Sequence, residues 1–275
     1  MERRTFLALP LAALTLPGVL SAAPAAGVVP RPLALKGAAR GGTDALALRQ
    51  IRDLNASWYY SWGSTYTVTT NPGFVPMVWS GKALIRNNSV GDVIRQLPVT
   101  RTKNLLGFNE PDYSSQANMS VDEAIRLWPL LQSTGLRLGS PCTVSATSPW
   151  LDKFMTKAAR ANLRVDFMTM HSYGWPNAES FLSKVRNLHD KYERPVWVTE
   201  FSVADWSATP SRPSRYTRSE VHSFMRAAVA GMRAMPFVER FAWYARGPSD
   251  PCLGPSALYQ TNGQLTVAGR IYASL

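Results

Sequence analysis

LLGFNEPD, Leu105 to Asp112, is the stretch on which the fold is decided. An apolar β-like run ends there on Asn109 and Glu110. A second run, VWVTEF from Val196 to Phe201, ends in the same way on Glu200. A carboxylate at the buried end of a strand is costly unless hydrogen bonds or a neighbouring charge compensate it. Two such placements in one chain therefore indicate that function required them. Charged residues at the C-terminal ends of separate strands are what a parallel α/β barrel presents at its functional face.

Working outward, apolar runs alternate with amphipathic helical patterns from Leu33 to the C-terminus, as parallel α/β construction requires. The expected strands are Leu33–Ala38, Ser57–Trp62, Phe74–Ser80, Asn104–Phe108, Leu136–Ser140, Val165–Met170, Pro195–Thr199 and Arg240–Tyr244. Between them, helices are expected at 44–54, near 90–97, from Ser120 toward Ser133, and at 148–161, 178–192, 219–235 and 266–274. Ser120 and Glu123 read as a capping box, and Pro149 suits the first turn of its helix. Gly63 to Gly73 reads as a loop in place of the second helix, because it is rich in Ser, Thr and Gly and contains Asn71-Pro72. The expected fold is thus α/β, a (β/α)8 TIM barrel, and the count of eight depends on Leu33–Ala38 being a strand.

The chain has 275 residues, with 45% hydrophobic and 17% charged, which fits one barrel domain of ordinary composition. Residues 1–27 read as an export signal and 28–275 as the catalytic domain. Arg3 and Arg4 precede the apolar stretch Phe6–Leu20, and small residues follow at Ser21–Ala26. RRTFL also fits a twin-arginine signal, and an ordinary Sec signal stays open. Pro10 and Pro17 break the apolar stretch, so no membrane span is expected, and the destination is secreted or periplasmic. Net charge is +12, but the arginines are scattered and no aromatic-lined basic stripe marks a specific nucleic-acid partner. Cys142 and Cys252 are compatible with one disulfide in an exported protein, or with two thiols.

Two carboxylates facing one cleft are the machinery of glycoside hydrolysis, about 5–5.5 Å apart where the configuration is retained. Glu110, flanked by Phe108 and Pro111, is the expected acid/base; Glu200, beside Thr199, is the expected nucleophile. Asn109 would reach the sugar 2-hydroxyl. His171 and Tyr173, in HSYG, would orient the nucleophile. His189 and His222 lack ligand spacing to His171, so neither metal nor cofactor is expected. Aromatic rings pack on the apolar faces of sugars, and Trp62, Trp79, Tyr113, Trp175, Trp206 and Trp243 fall at or beyond strand ends. Trp58, Trp128 and Trp197 read as core. Asp112, Asp205 and Asp250 read as loop or cap residues.

These segments resemble glycoside hydrolase family 128, the endo-β-1,3-glucanases of the large retaining clan with one glutamate on strand four and one on strand seven. The resemblance rests on WYYSW (58–62), FVPMVW (74–79), GFNEPD (107–112), GSP (139–141), Asp166-Phe167, HSYG (171–174) and VTEF (198–201), and spans Ser57 to the C-terminus. It implies a (β/α)8 barrel that hydrolyses internal β-1,3-glucosidic bonds with retention and without a cofactor; the chain is expected to be a monomer. The residues expected to contact the glucan are then Asn109, Tyr60, Trp62, Trp79, His171, Tyr173, Trp175, Trp206 and Trp243. Ser61 and Ser172 depart from the family pattern, where Asn and an aromatic are common, and bear on subsite contacts. Two other readings stay open: a related glycosidase acting on mannan or xylan, and a glucan-binding protein without turnover.

Overall fold

The computed structural model describes residues 33–41, 45–66 and 73–275; the expected export signal lies outside them. Eight strands occur in chain order: β1 (Leu35–Ala39), β2 (Trp58–Tyr60), β3 (Gly73–Phe74), β4 (Asn104–Leu105), β5 (Arg137–Leu138), β6 (Met168–Gly174), β7 (Val196–Val203) and β8 (Val238–Tyr244). The helices are α1 (Ala45–Asp53), α2 (Gly81–Arg86), α3 (Ser89–Thr100), α4 (Val121–Gln132), α5 (Pro149–Arg160), α6 (Ala178–Tyr192), α7 (Arg218–Arg233) and α8 (Val267–Ser274). Among the described residues no helix lies between β2 and β3; residues 67–72 of that connection are outside them.

Every ladder is parallel. Six strands run in the order β3-β2-β1-β8-β7-β6, and β4 pairs with β5. Single parallel bridges, Met77 to Leu106 and Gly139 to Phe167, join the two sets into a TIM-type ring. The third strand is shorter than its apolar run because Pro76 has no N–H to donate. Its carbonyl still accepts from Leu106 N at 2.9 Å.

Inside the ring, Trp58, Tyr60, Val75, Met77, Leu106, Phe167 and Trp197 form one apolar cluster, with Trp62, Trp79 and Tyr244 packed on its upper edge. Trp197 stacks on Phe167 at 4.1 Å, and Trp58 stacks on Tyr60 at 6.0 Å. Below them the Arg240 guanidinium lies 4.3 Å from the Trp197 ring, and Glu239 accepts from Trp197 Nε1 at 2.8 Å. A larger cluster fills the space between strands and helices, so Trp128, as expected, is core. Helix starts follow local chemistry: Ser120 Oγ accepts from Glu123 N at 3.1 Å. The reciprocal capping box is completed not there but at Thr217 and Glu220.

Strand β1 exists because Gly37 allows it. A Cβ at Gly37 would stand 2.3 Å from the Trp58 indole, whose Nε1 donates to Leu35 O at 3.0 Å. Trp58 is fully buried and cannot yield. Gly37→Ala is therefore expected to cost about 1–3 kcal/mol by overpacking. Thermal unfolding should show a midpoint lowered by several degrees; an unchanged midpoint would mean that the indole has room to move.

Candidate functional site

Both glutamates stand at the C-terminal rim of the ring, and each is placed by an irregularity. Glu110 follows β4 with φ of 43°, a left-handed conformation unfavourable for a residue with a side chain. Its N–H donates to Cys142 O at 2.6 Å and its carbonyl accepts from Tyr113 N at 3.0 Å, which holds that conformation. Glu200 lies inside β7, where the pairing with β6 passes from Met170–Val198 directly to His171–Glu200, leaving Thr199 extra. Such bulges re-aim side chains at sheet rims. Strands β6 and β7 both continue past their expected ends, so His171, Tyr173 and Glu200 are strand residues projecting into the lumen.

One imidazole spans the pair. His171 Nδ1 lies 2.9 Å from Glu110 Oε1 in a hydrogen bond, and Nε2 lies 3.2 Å from Glu200 Oε1. The second contact is close enough for charge but not aligned for a hydrogen bond, so Nε2 has no hydrogen-bond partner among the described residues. Burial opposes a charge on His171. The Cys142 sulfur and the Glu200 and Glu110 carboxylates outweigh it and hold the ring's pKa well above the ordinary imidazole value.

Among the described residues three further side-chain donors face Glu200. Tyr60 Oη and Trp62 Nε1 each donate to Oε1 at 2.8 Å, and Tyr173 Oη donates to Oε2. Burial first, then the Glu200 charge, raises both phenols well above their usual range, so they remain donors. Asn109 is buried; its Nδ2 reaches Gln116 Oε1 at 3.3 Å while Oδ1 has no partner among the described residues.

The structure thus gathers Asn109, Glu110, His171, Tyr173, Glu200, Tyr60 and Trp62 at one place, with Trp79 beside them at the top of the inner cluster. Trp175 and Trp206 are exposed, 59% and 56%; Trp206 meets Tyr173 edge-on at 5.7 Å. Tyr60, expected to touch sugar, is wholly buried and touches Glu200 instead. Trp243, also expected there, is core: it is 1% exposed, packs on Phe201 at 5.0 Å and donates to Ser256 O at 3.0 Å. Its neighbour Tyr244 takes the site position, edge-on to Trp62 at 5.9 Å and to Tyr173 at 5.4 Å. Alternation along β8 allows one of the two adjacent aromatics to face inward, and sequence gave no reason to prefer Tyr244. Cys142 and Cys252 are free thiols, the first buried with Sγ 3.8 Å from Thr199 Oγ1, the second 3.8 Å from Ala208 O.

Two cavities adjoin residues of the site. One of about 710 Å³ lies by the β1 and β8 loops and is lined by Trp62, Tyr244, Arg40 and Arg246. Another of about 310 Å³ lies by the β5 and β6 loops and is lined by His171, Tyr173, Ser145 and Lys184.

Residues 37–272 match the family described as glycosyl hydrolase catalytic core. A solved GH128 subgroup I endo-β-1,3-glucanase from Amycolatopsis mediterranei, in complex with laminaripentaose, is 31% identical and superposes with a TM-score of 0.76. It covers 87% of this chain and is itself covered over 98%. A GH128 subgroup III curdlan-specific exo-β-1,3-glucanase from Blastomyces gilchristii, in complex with glucose, is 27% identical, with a TM-score of 0.69 and coverage of 88% and 98%. Alkali-sensitive linkage protein 1 of Schizosaccharomyces pombe (strain 972 / ATCC 24843) is 29% identical over 249 residues, 85% of this chain; the chain spans 43% of that relative's length. With its parallel barrel and its match over nearly the whole described chain, this protein belongs to the glycosyl hydrolase catalytic core family and, within it, is a glycoside hydrolase of family 128.

Proposed function

We propose that this protein is an endo-acting β-1,3-glucanase that cleaves internal bonds with retention, Glu200 being the nucleophile and Glu110 the acid/base. The observation that carries the reading is the single His171 ring set between the two carboxylates, which keeps both within one sugar's reach. In the first step Glu200 attacks the anomeric carbon while Glu110 gives its proton to the departing oxygen. In the second, Glu110 takes a proton from water, which releases the glycosyl group from Glu200. His171 Nδ1, 2.9 Å from Glu110 Oε1, is close enough to pass a proton to it.

The unpartnered Asn109 Oδ1 and His171 Nε2 support substrate binding at this point. A buried polar atom left unpaired costs free energy, and a sugar hydroxyl would satisfy it. Cavities that adjoin Trp62 and Tyr244 on one hand and His171 and Tyr173 on the other leave room for several sugar units, and the endo-acting Amycolatopsis relative supports the endo mode. The partner is β-1,3-glucan, and the sequence of residues 1–27 favours action outside the cytoplasm.

Incubation with laminarin, curdlan, mannan and xylan, with products separated by size, tests this reading. Release of mixed β-1,3-oligosaccharides from laminarin is expected. Glucose alone would mark the exo mode, and products from mannan or xylan only would overturn the linkage.

Tyr60→Phe gives a finer test. It removes the 2.8 Å donor to Glu200 and a second contact to Thr199 O at 3.2 Å while keeping the buried ring. Loss of a hydrogen bond to a charged group should lower kcat/KM on laminarin roughly 10- to 100-fold with little change in thermal stability. Wild-type kinetics would show that Tyr60 does not position the nucleophile.

A further inference from the structure

Beyond Val203 the chain makes a loop whose two ends are joined by an ion pair between the buried Asp205 and the exposed Arg215. Asp205 is 4% exposed, and its Oδ2 accepts from Arg215 N at 3.1 Å and Nε at 2.9 Å. Its Oδ1 accepts from Arg215 NH2 at 2.9 Å, from Ser207 N at 3.1 Å and from Ser207 Oγ at 2.7 Å. The neck is also tied to the loop after β8: Asp205 N donates to Cys252 O at 3.1 Å and Ser214 N to Pro251 O at 2.8 Å. Short surface loops with joined ends hold their shape through such internal contacts.

The residue pinned by this arrangement is Trp206. Its two neighbours in sequence, Asp205 and Ser207, are bonded to each other and to Arg215, so the backbone on both sides of the indole is fixed. The ring is 56% exposed and stands edge-on to Tyr173, whose hydroxyl donates to Glu200. A large exposed ring on a fixed backbone is poor packing but a good binding surface, because less conformational freedom remains to be lost when a ligand stacks on it. The Arg215 and Ser207 hydrogen bonds hold the Asp205 carboxyl below the usual carboxylate range.

We propose that the Asp205–Arg215 neck is a positioning device that holds Trp206 as a stacking platform for a glucose unit beyond the bond being cut, and so sets a preference for longer glucan chains. This rests on the cleft taking β-1,3-glucan. Arg215 and Asp205 are then positioning residues that act through the indole. Arginine is required because its fork serves both carboxylate oxygens, which an ammonium does not reproduce.

The test is steady-state kinetics of Arg215→Ala, Arg215→Lys and Trp206→Ala on laminarihexaose and laminaritriose, with circular dichroism to verify folding. Arg215→Ala should raise KM for the hexaose about tenfold, the scale of one lost stacking contact, with a much smaller change in kcat. Its kcat/KM should fall far more for the hexaose than for the triose, and Arg215→Lys should lie between Arg215→Ala and wild type. Equal losses on both sugars, or an unchanged KM for the hexaose, would overturn the proposal. If Arg215→Ala does not fold, Trp206→Ala with the neck intact must show the same chain-length-dependent rise in KM, and its absence overturns the proposal equally. Wild-type enzyme that cleaves neither sugar overturns the glucanase reading itself, an outcome distinct from wild-type turnover with no chain-length effect in the variants.

Discussion

Glu200→Gln is expected to lower turnover of laminarin roughly 10⁴-fold or more, the scale on which removal of a catalytic nucleophile is felt, while laminarihexaose still binds. The amide keeps the size of the side chain. Its oxygen can still accept from Tyr60 Oη and Trp62 Nε1, and the aromatic walls are untouched. What it lacks is the negative charge that the proposed attack on the anomeric carbon requires. Reducing-end release measures the first effect and quenching of tryptophan fluorescence by the oligosaccharide measures the second. Full turnover in this variant would remove Glu200 from the mechanism.

Glu110→Gln has a different signature. Hydrolysis of glucan should fall about 10²–10⁴-fold, the range ascribed to a positioned general acid, because the departing sugar oxygen needs a proton. A laminaribioside of a good phenol leaving group does not need it, so formation of the glycosyl-enzyme should survive and its breakdown become limiting. A rapid burst of phenol followed by a slow phase is the expected trace. The variant also leaves His171 Nδ1 facing an amide in place of a carboxylate, which alters one of the hydrogen bonds that raise the ring's pKa. Equal losses on glucan and on the activated substrate would argue that Glu110 holds structure rather than donating a proton.

How far the sequence reached depends on which physical signal each element leaves. Helix α6 falls on the expected Ala178–Tyr192 because its apolar positions recur at helical spacing between clear end signals. Strands β6 and β7 run beyond their apolar segments, to Gly174 and Val203. Their upper residues, His171, Tyr173 and Glu200, face the top of the barrel, where polarity serves function and a hydrophobic pattern reads as a strand end. Strands β3, β4 and β5 are only two residues long. Their hydrogen bonds depend on neighbours distant in sequence, which no local pattern encodes.

The site was legible in its chemistry and less so in its directions. Glu110, Glu200, His171 and Tyr173 come together as their motifs implied. Tyr60 and Trp243 show the limit. Both are aromatic residues near strand ends, yet one donates to Glu200 from within the barrel and the other packs against the outer helices. One step along a strand reverses the face, and the adjacent pair Trp243-Tyr244 offers no polarity difference to mark the inward one. Asp205 read as a loop residue because its partner, Arg215, is brought to it only by the closing of the loop.

The central claim is that Glu110 and Glu200 act on the same glucosidic bond, with Glu200 forming the covalent link. Reaction with a 2-fluoro-laminaribiosyl fluoride, whose glycosyl-enzyme hydrolyses slowly, followed by peptide mass spectrometry, tests it most directly. One added sugar on Glu200, and none in a Glu200→Gln control, is the predicted result. A label on any other carboxylate, with Glu200 unmodified, would contradict the account.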